Sequence, residues 1–310
     1  MVEAVAQTAS PTKVVRVVDA VQSLALKPAS RSKPNIDKKQ KKKRRAGELS
    51  SDESGSENEN VNVDMEFFGF IMSDYQAVKH LLSQLFSHDN QELDIAGISD
   101  HLVSQFEDVG STVKSDGEEG DPLAFIGVLP WHLDKPYVKS LRSYLLGKTS
   151  SNSMMKDVLL DPNNKIGIIM LERLVNMPPH VVPPLLRILD EEMQAAGGAF
   201  LFTHLLFVSR VFLAESDHFP QDLESSSPKR RKKRTSGPAQ SQTFLYHIED
   251  EIIASIAEEG CWMEYAYDHA PKRGLMGDGE DFGVEIKGRI ALVDRGKLKH
   301  LVQQVEEILD

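Results

Sequence analysis

Four glycine-bearing stretches are the places where this chain could cradle a phosphate on backbone amides. Gln194-Ala195-Ala196-Gly197-Gly198-Ala199 and Arg234-Thr235-Ser236-Gly237-Pro238-Ala239 both fit Gln/Arg-x-x-Gly-x-Gly/Ala, a loop that holds a pyrophosphate when it opens a helix. The first follows a helical pattern and precedes an apolar strand, which is the reverse of the required order. The second contains Pro238, which removes an amide donor. Gly147-Lys148-Thr149 looks like the end of a phosphate loop, but Arg142 stands where the partner glycine is needed. A helix C-terminus is the better expectation there. The stretch from Gly274 to Gly279 carries Asp278, with Glu280 and Asp281 close behind, and these charges repel phosphate. There is no Gly-x-Ser-x-Gly elbow and no His-Glu-x-x-His helix. The ten histidines are scattered and read as surface or core residues rather than ligands. Cys261 is the single cysteine, which excludes an internal disulfide and a multi-cysteine zinc finger. It lies beside Trp262 in a strand pattern and is expected to be buried and inert. Trp262, Tyr265 and Tyr267 have no interleaved basic residues, so core packing fits them better than a nucleic-acid platform. No acid, base and nucleophile come together, so the expectation is a protein that is not an enzyme and needs no cofactor or metal.

The remaining reactive chemistry is electrostatic. Lys38, Lys39, Lys41, Lys42, Lys43, Arg44 and Arg45 form one basic run, and Lys229, Arg230, Arg231, Lys232, Lys233 and Arg234 form another. Exposed runs of this kind suit capture by nuclear import receptors. Ser50, Ser54 and Ser56 each have a glutamate three residues on, a spacing that acidophilic kinases favour; each phosphate would add about −1.5 to −2 charge. The formal net charge of −11 hides a segregation: thirteen of the 36 Lys and Arg sit in the two runs, and the other 23 face 47 Asp and Glu. An acidic body repels nucleic-acid phosphate and attracts basic proteins. Two acidic turns are candidates for such contact: Glu118, Glu119 and Asp121 in one, and Asp278, Glu280 and Asp281 in the other. No apolar run reaches the roughly 20 residues that span a bilayer.

The elements that must position these groups follow from periodicity. Residues 1–60 and an insert at about 215–242 are Ser/Pro/Gly-rich and charged, and composition predicts disorder for both. Alternation from Val61 to Phe67 predicts a strand. Ser73 with Gln76 predicts a capping box, opening a helix with Tyr75, Val78, Leu81, Leu82, Leu85 and Phe86 on one face. A second helix is expected from Asp94 to Phe106. Strands follow at Ser111–Lys114 and Leu123–Leu129, then helices at Tyr137–Leu146 and Ser153–Leu160. An apolar strand from Ile166 runs into Pro178-Pro179 and Pro183-Pro184, where missing amides end it and a helix begins. The apolar run Phe200–Leu213 predicts a strand covered on both faces. Phe244–Ile256 is ambiguous. Strands at Cys261–Tyr267 and Ile286–Val293, then a helix over Gly296–Leu309, close the chain. The class is α/β: a single domain, residues 61–310, with a mixed sheet flanked by helices.

Glu172-Arg173-Leu174-Val175-Asn176-Met177-Pro178-Pro179 resembles the signature segment of the BCCIP family. Val61–Phe68, Ser73–Phe86 and Ala124–Leu129 agree with it in order. The resemblance implies a nuclear protein that binds other proteins, acting as chaperone or escort for a basic ribosomal client. It implies links to large-subunit assembly and nuclear export, with shuttling to the cytoplasm. It leaves open an adaptor for DNA repair and the cell cycle, binding a tumour suppressor and a cyclin-dependent kinase inhibitor. By the same resemblance the fold is similar to the GCN5-related acetyltransferases, which use the Gln/Arg-x-x-Gly-x-Gly/Ala loop. An acyltransferase with a degenerate coenzyme A site is therefore a further alternative.

Overall fold

The computed structural model describes residues 64–104, 109–215, 241–270 and 284–310. Both basic runs, the three serines and the Asp278–Asp281 turn lie outside the described residues.

Eight strands form one sheet: β1 (Glu66–Gly69), β2 (Gly110–Lys114), β3 (Ala124–Pro130), β4 (Ile166–Arg173), β5 (His204–Glu215), β6 (Ser241–Leu245), β7 (Trp262–Ala266) and β8 (Val284–Asp294). Their order is β1-β2-β3-β4-β5-β8-β7, with β6 also paired to β5. Every pairing is antiparallel except β4 with β5. A parallel pair needs a crossover, and helix α5 (Val182–Ala196) supplies it.

Side chains alternate across a strand, so each central strand feeds two cores. Ile166, Ile168 and Met170 of β4 pack with Leu206 and Val208 of β5 beneath α1 (Tyr75–Phe86), α2 (Ile95–Ser104), α3 (Pro136–Lys148) and α4 (Ser153–Leu160). Ile169 and Leu171 pack on the other face with Leu205 and Phe207, against α5, α6 (Glu249–Ile256) and α7 (Leu298–Leu309). All eight residues of β4 are buried, including the two charged ones that end it.

Several expectations shift. The first strand is Glu66–Gly69; Phe67 and Phe68 are both buried, so the alternation starting at Val61 does not define it. Asp74, not Ser73, precedes α1, and its carboxylate turns back to accept from Ile71 N–H (3.0 Å). The second helix stands as expected over the described residues, as α2 (Ile95–Ser104). The Phe200–Leu213 run is not one strand: Gly197 and Gly198 take positive φ (60° and 51°), Gly198–Phe200 forms a short 3-10 turn, and β5 starts at His204. Phe200 and Phe202 meet edge to face there, which satisfies their apolar character without strand pairing. Phe244–Ile256 divides into the end of β6 and α6. Strands β5 and β6 pair antiparallel with Glu215 opposite Ser241, and residues 216–240 lie outside the described residues.

On the edge strand, Trp262 and Ala266 are exposed while Cys261, Tyr265 and Tyr267 are buried, as strand alternation predicts. Burial first, then Glu258, pushes the Cys261 thiol up, which keeps it protonated and unreactive. Gly288 lies opposite Tyr265, and a β-carbon there would sit 2.1 Å from Tyr265 Cζ; only glycine lets that ring lie on β8.

Candidate functional site

The parallel pair does not stay together. Its ladder ends at Met170 opposite Val208, yet β4 continues against β3 as far as Arg173. From Val211 onward, β5 pairs with β6 on that side instead. The carboxyl ends of strands in an open α/β sheet are where ligands ordinarily bind. Here that split is filled by the chain's own charged side chains.

Glu172 is fully buried. It accepts from Arg210 Nε (3.3 Å) and Nη2 (3.4 Å), and its Oε1 pairs with His247 Nε2 (2.9 Å). Arg173 points to the opposite face and donates from Nε and Nη2 to the two oxygens of Glu249, each at 3.1 Å. Its Nη1 donates to Met177 O (2.6 Å), which pins the segment just before Pro178. Adjacent residues thus hold two separate partners because the pleat sends them to opposite faces. Glu249 and Asp250 occupy the first turn of α6, where the helix dipole favours negative charge.

Arg289 on β8 extends the network, donating from Nη1 to Asp250 O (3.3 Å) and from Nη2 to Glu264 (2.7 Å). Two rings cover the guanidinium groups: Tyr246 over Arg210 at 4.1 Å, and Trp262 over Arg289 at 5.4 Å. Burial, reinforced by Glu249, pushes the Asp250 carboxyl up to about 7; His247, Arg289 and a bond from Ser209 act against it. His247 Nδ1, Asp250 Oδ2 and Arg289 Nε have no hydrogen-bond partner among the described residues.

A second charged centre was not legible as a site. Helix α3 ends at Lys148 with Thr149 as its C-cap residue, as the Gly-Lys-Thr reading predicts. The lysine itself folds inward. Its Nζ reaches Asp89 at 2.8 Å and Asp268 at 2.9 Å, and lies over the rings of Tyr144 and Tyr265. Burial opposes ionisation of Asp89, but Lys148, the His269 and Asp268 amides and Tyr144 Oη outweigh it and hold the carboxyl down at about 2. The signal was present: Leu141, Tyr144, Leu145 and Lys148 share one helical face.

The acidic turn between β2 and β3 is as expected on its outside, with Glu118, Glu119 and Asp121 exposed. Its inner side is anchored by Lys114, a fully buried lysine whose Nζ donates to Asp74 (2.6 Å) and to Glu118 O (2.5 Å). Gln194, Ala195 and Ala196 end α5, and Gly197–Ala199 lead through the 3-10 turn to β5, so the glycines do not open an α-helix.

Removing one partner of a buried pair leaves an uncompensated charge. Arg173→Met should lower unfolding free energy by about 3–5 kcal/mol. Arg173→Met with Glu249→Leu should recover most of that loss, measured by urea denaturation. Equal destabilisation by single and double variants would contradict this account. Asp250 gives a pH test. Its folded pKa lies above its unfolded value of 3.8, so its contribution is fully present below about pH 4 and is lost as pH rises through about 7. Asp250→Asn imitates the protonated acid, so the variant's stability relative to the unmodified chain should rise from pH 5 to pH 8. The size is on the order of a few kcal/mol, read from melts at both pH values.

The family model described as BCCIP matches residues 60–253, a span that holds Glu172, Arg173, Arg210, His247, Glu249 and Asp250. The protein named bcp1 from Emericella nidulans is 35% identical over 270 residues, covering 83% of this chain and 91% of that relative. The protein of the same name from Schizosaccharomyces pombe is 34% identical over 260 residues, covering 80% and 90%. The crystal structure of BCP1 from Saccharomyces cerevisiae superposes with a TM-score of 0.54 at 21% identity, covering 84% of this chain and 96% of that one. That likeness carries the mixed-sheet fold; it does not bear on the expected similarity to the GCN5-related acetyltransferases. On the matched span and these identities, the chain belongs to the BCCIP family.

Proposed function

We propose that this chain is a non-enzymatic nuclear protein that escorts a basic client of the ribosomal-protein kind, in large-subunit assembly and nuclear export. The supporting observation is the charge of the folded body. The described residues hold 31 Asp and Glu against 16 Lys and Arg. Lys114, Lys148, Arg173, Arg210 and Arg289 are turned inward onto carboxylates, so their charge is spent within the core. The surface left outside is acidic. It can screen a lysine- and arginine-rich protein from nucleic acid and from aggregation.

The non-enzymatic reading rests on the same geometry. The split at the end of β4, where a small-molecule site would be sought, is occupied by ion pairs. Among the described residues no helix is long and apolar enough to cross a membrane. Nuclear entry is assigned to the two basic runs and to import receptors as partners.

Neutralising the β2–β3 turn tests the escort. Glu118→Gln, Glu119→Gln and Asp121→Asn together should slow association with a basic client several-fold at low salt and leave dissociation little changed, because peripheral charges chiefly steer encounter. Clients taken from nuclear extract on the full chain should be basic ribosomal proteins lost as salt rises. Recovery of a salt-resistant repair or cell-cycle complex in their place would replace the escort with an adaptor. Localisation is tested separately. Alanine at Lys41, Lys42, Lys43, Arg44 and Arg45 should reduce nuclear accumulation in imaging, and adding alanine at Lys229 to Arg234 should reduce it further. An unchanged distribution in the combined variant would remove these runs as import signals.

A further inference from the structure

We propose that His204, Glu258 and Asp294 form a binding site for a divalent transition metal of the zinc class. The three come from separate segments held together by backbone bonds. His204 opens β5 and Asp294 closes β8, and the two are registered partners across the sheet. Glu258 lies between α6 and β7, with its amide donating to Leu292 O (3.0 Å). Arg295 N–H donates to Thr203 O (2.9 Å), which ties the end of β8 to the start of β5. One donor atom from each residue lies within 4.8 Å of the others.

The spacing is that of a shared ion rather than of a hydrogen bond. His204 Nε2 and Glu258 Oε1 are 3.6 Å apart. Two donors at about 2.0–2.2 Å from one tetrahedral ion lie roughly 3.4 Å from each other. On the far side of the ring, Nδ1 is 2.8 Å from the Thr203 hydroxyl. That hydroxyl has Lys165 O to donate to at 3.1 Å, so it can accept from Nδ1–H and leave the Nε2 lone pair facing the carboxylates. This is the outer hydrogen bond by which metal-binding histidines are oriented. Asp294 Oδ1 accepts from Gly296 N–H (2.7 Å), which fixes the carboxylate and leaves its second oxygen for an ion.

Among the described residues neither Glu258 nor Asp294 pairs with a lysine or arginine. The other comparable group, Asp89, Glu92 and His269, differs on this point, since Lys148 Nζ already stands 2.8 Å from Asp89. The imidazole donor favours zinc-class ions over magnesium or calcium, which take oxygen ligands. Three protein donors leave a coordination position for water. A bound ion would join the start of β5, the end of β8 and the α6–β7 link, and would stabilise the folded state by mass action.

The test is calorimetric titration of the full chain with zinc chloride at neutral pH, with cobalt(II) as a spectroscopic probe. The expected result is one zinc per chain at this site and a visible cobalt absorption band. Glu258→Gln and Asp294→Asn should each weaken zinc at least about tenfold and abolish the cobalt band. Asp294→Asn keeps the acceptor for Gly296, so it serves as the folded variant if Glu258→Gln misfolds. His269→Ala, in the lysine-occupied group, should leave affinity unchanged. No saturable zinc binding, or equal binding by the folded variant, would overturn the proposal, as would loss of binding in His269→Ala.

Discussion

The fold depends on β4 serving two neighbours whose ends do not coincide. It must pair with β3 to its last residue and with β5 only over its first five, because β5 turns to accommodate β6. The wedge so created cannot be left open, since unfilled interior forfeits contacts on every wall. Glu172, Arg173, Arg210, His247 and Glu249 fill it. Five ionisable groups in one wedge are tolerable because they pair; isolated charges there would be prohibitive. The geometry is also directional. Arg173 reaches both oxygens of Glu249 and Met177 O at once, which requires β4, α6 and the approach to Pro178 in a single relative placement.

This arrangement divides the chain's charge between inside and outside. A buried ion pair adds little net stability compared with apolar packing; what these pairs add is a fixed geometry. A consequence concerns the exterior. Each cation turned inward is one fewer on the surface, and the carboxylates that remain outside outnumber the cations left there. Lys114 shows the coupling at close range. Its buried ammonium holds Asp74 and the backbone of the acidic turn, so exposed Glu118 and Glu119 stand on a rigid base. An acidic surface presented by a rigid scaffold loses less conformational entropy on binding than the same charges on a mobile tail.

How much of this was legible follows from where each signal resides. Helices α1, α3, α4, α5 and α7 and strands β2, β3, β4, β7 and β8 showed in local periodicity, because each buries one stripe or an uninterrupted apolar run. The starts of β1 and β5 did not. Phe200 and Phe202 are as apolar as strand residues but pack against each other in a turn created by two glycines at positive φ. The Asp74 cap was missed because its carboxylate serves Lys114 as well as Ile71 N–H, a demand set 40 residues away. The charge network was invisible for the same reason: Glu172 and Arg173 read as the polar end of a strand, while His247 and Glu249 lie more than seventy residues on. The one local hint was two charges continuing an apolar run directly into a proline corner.

That hint changes what the segment from Glu172 to Pro179 means physically. Glu172-Arg173 with Met177-Pro178-Pro179 contains no nucleophile, and its charged atoms face inward onto partners from β5, the β6–α6 connection and α6. Its charged residues are therefore explained by packing a split sheet rather than by reaction chemistry. The proline corner completes the same task, since residues without amide donors cannot extend β4 into the wedge. Asp250 marks where the solution stops short of full satisfaction: burial, reinforced by Glu249, pushes its carboxyl up to about 7. It must still occupy the first turn of α6 for the neighbouring glutamate to meet Arg173. A cost at one residue is thus carried by the geometry required of the next.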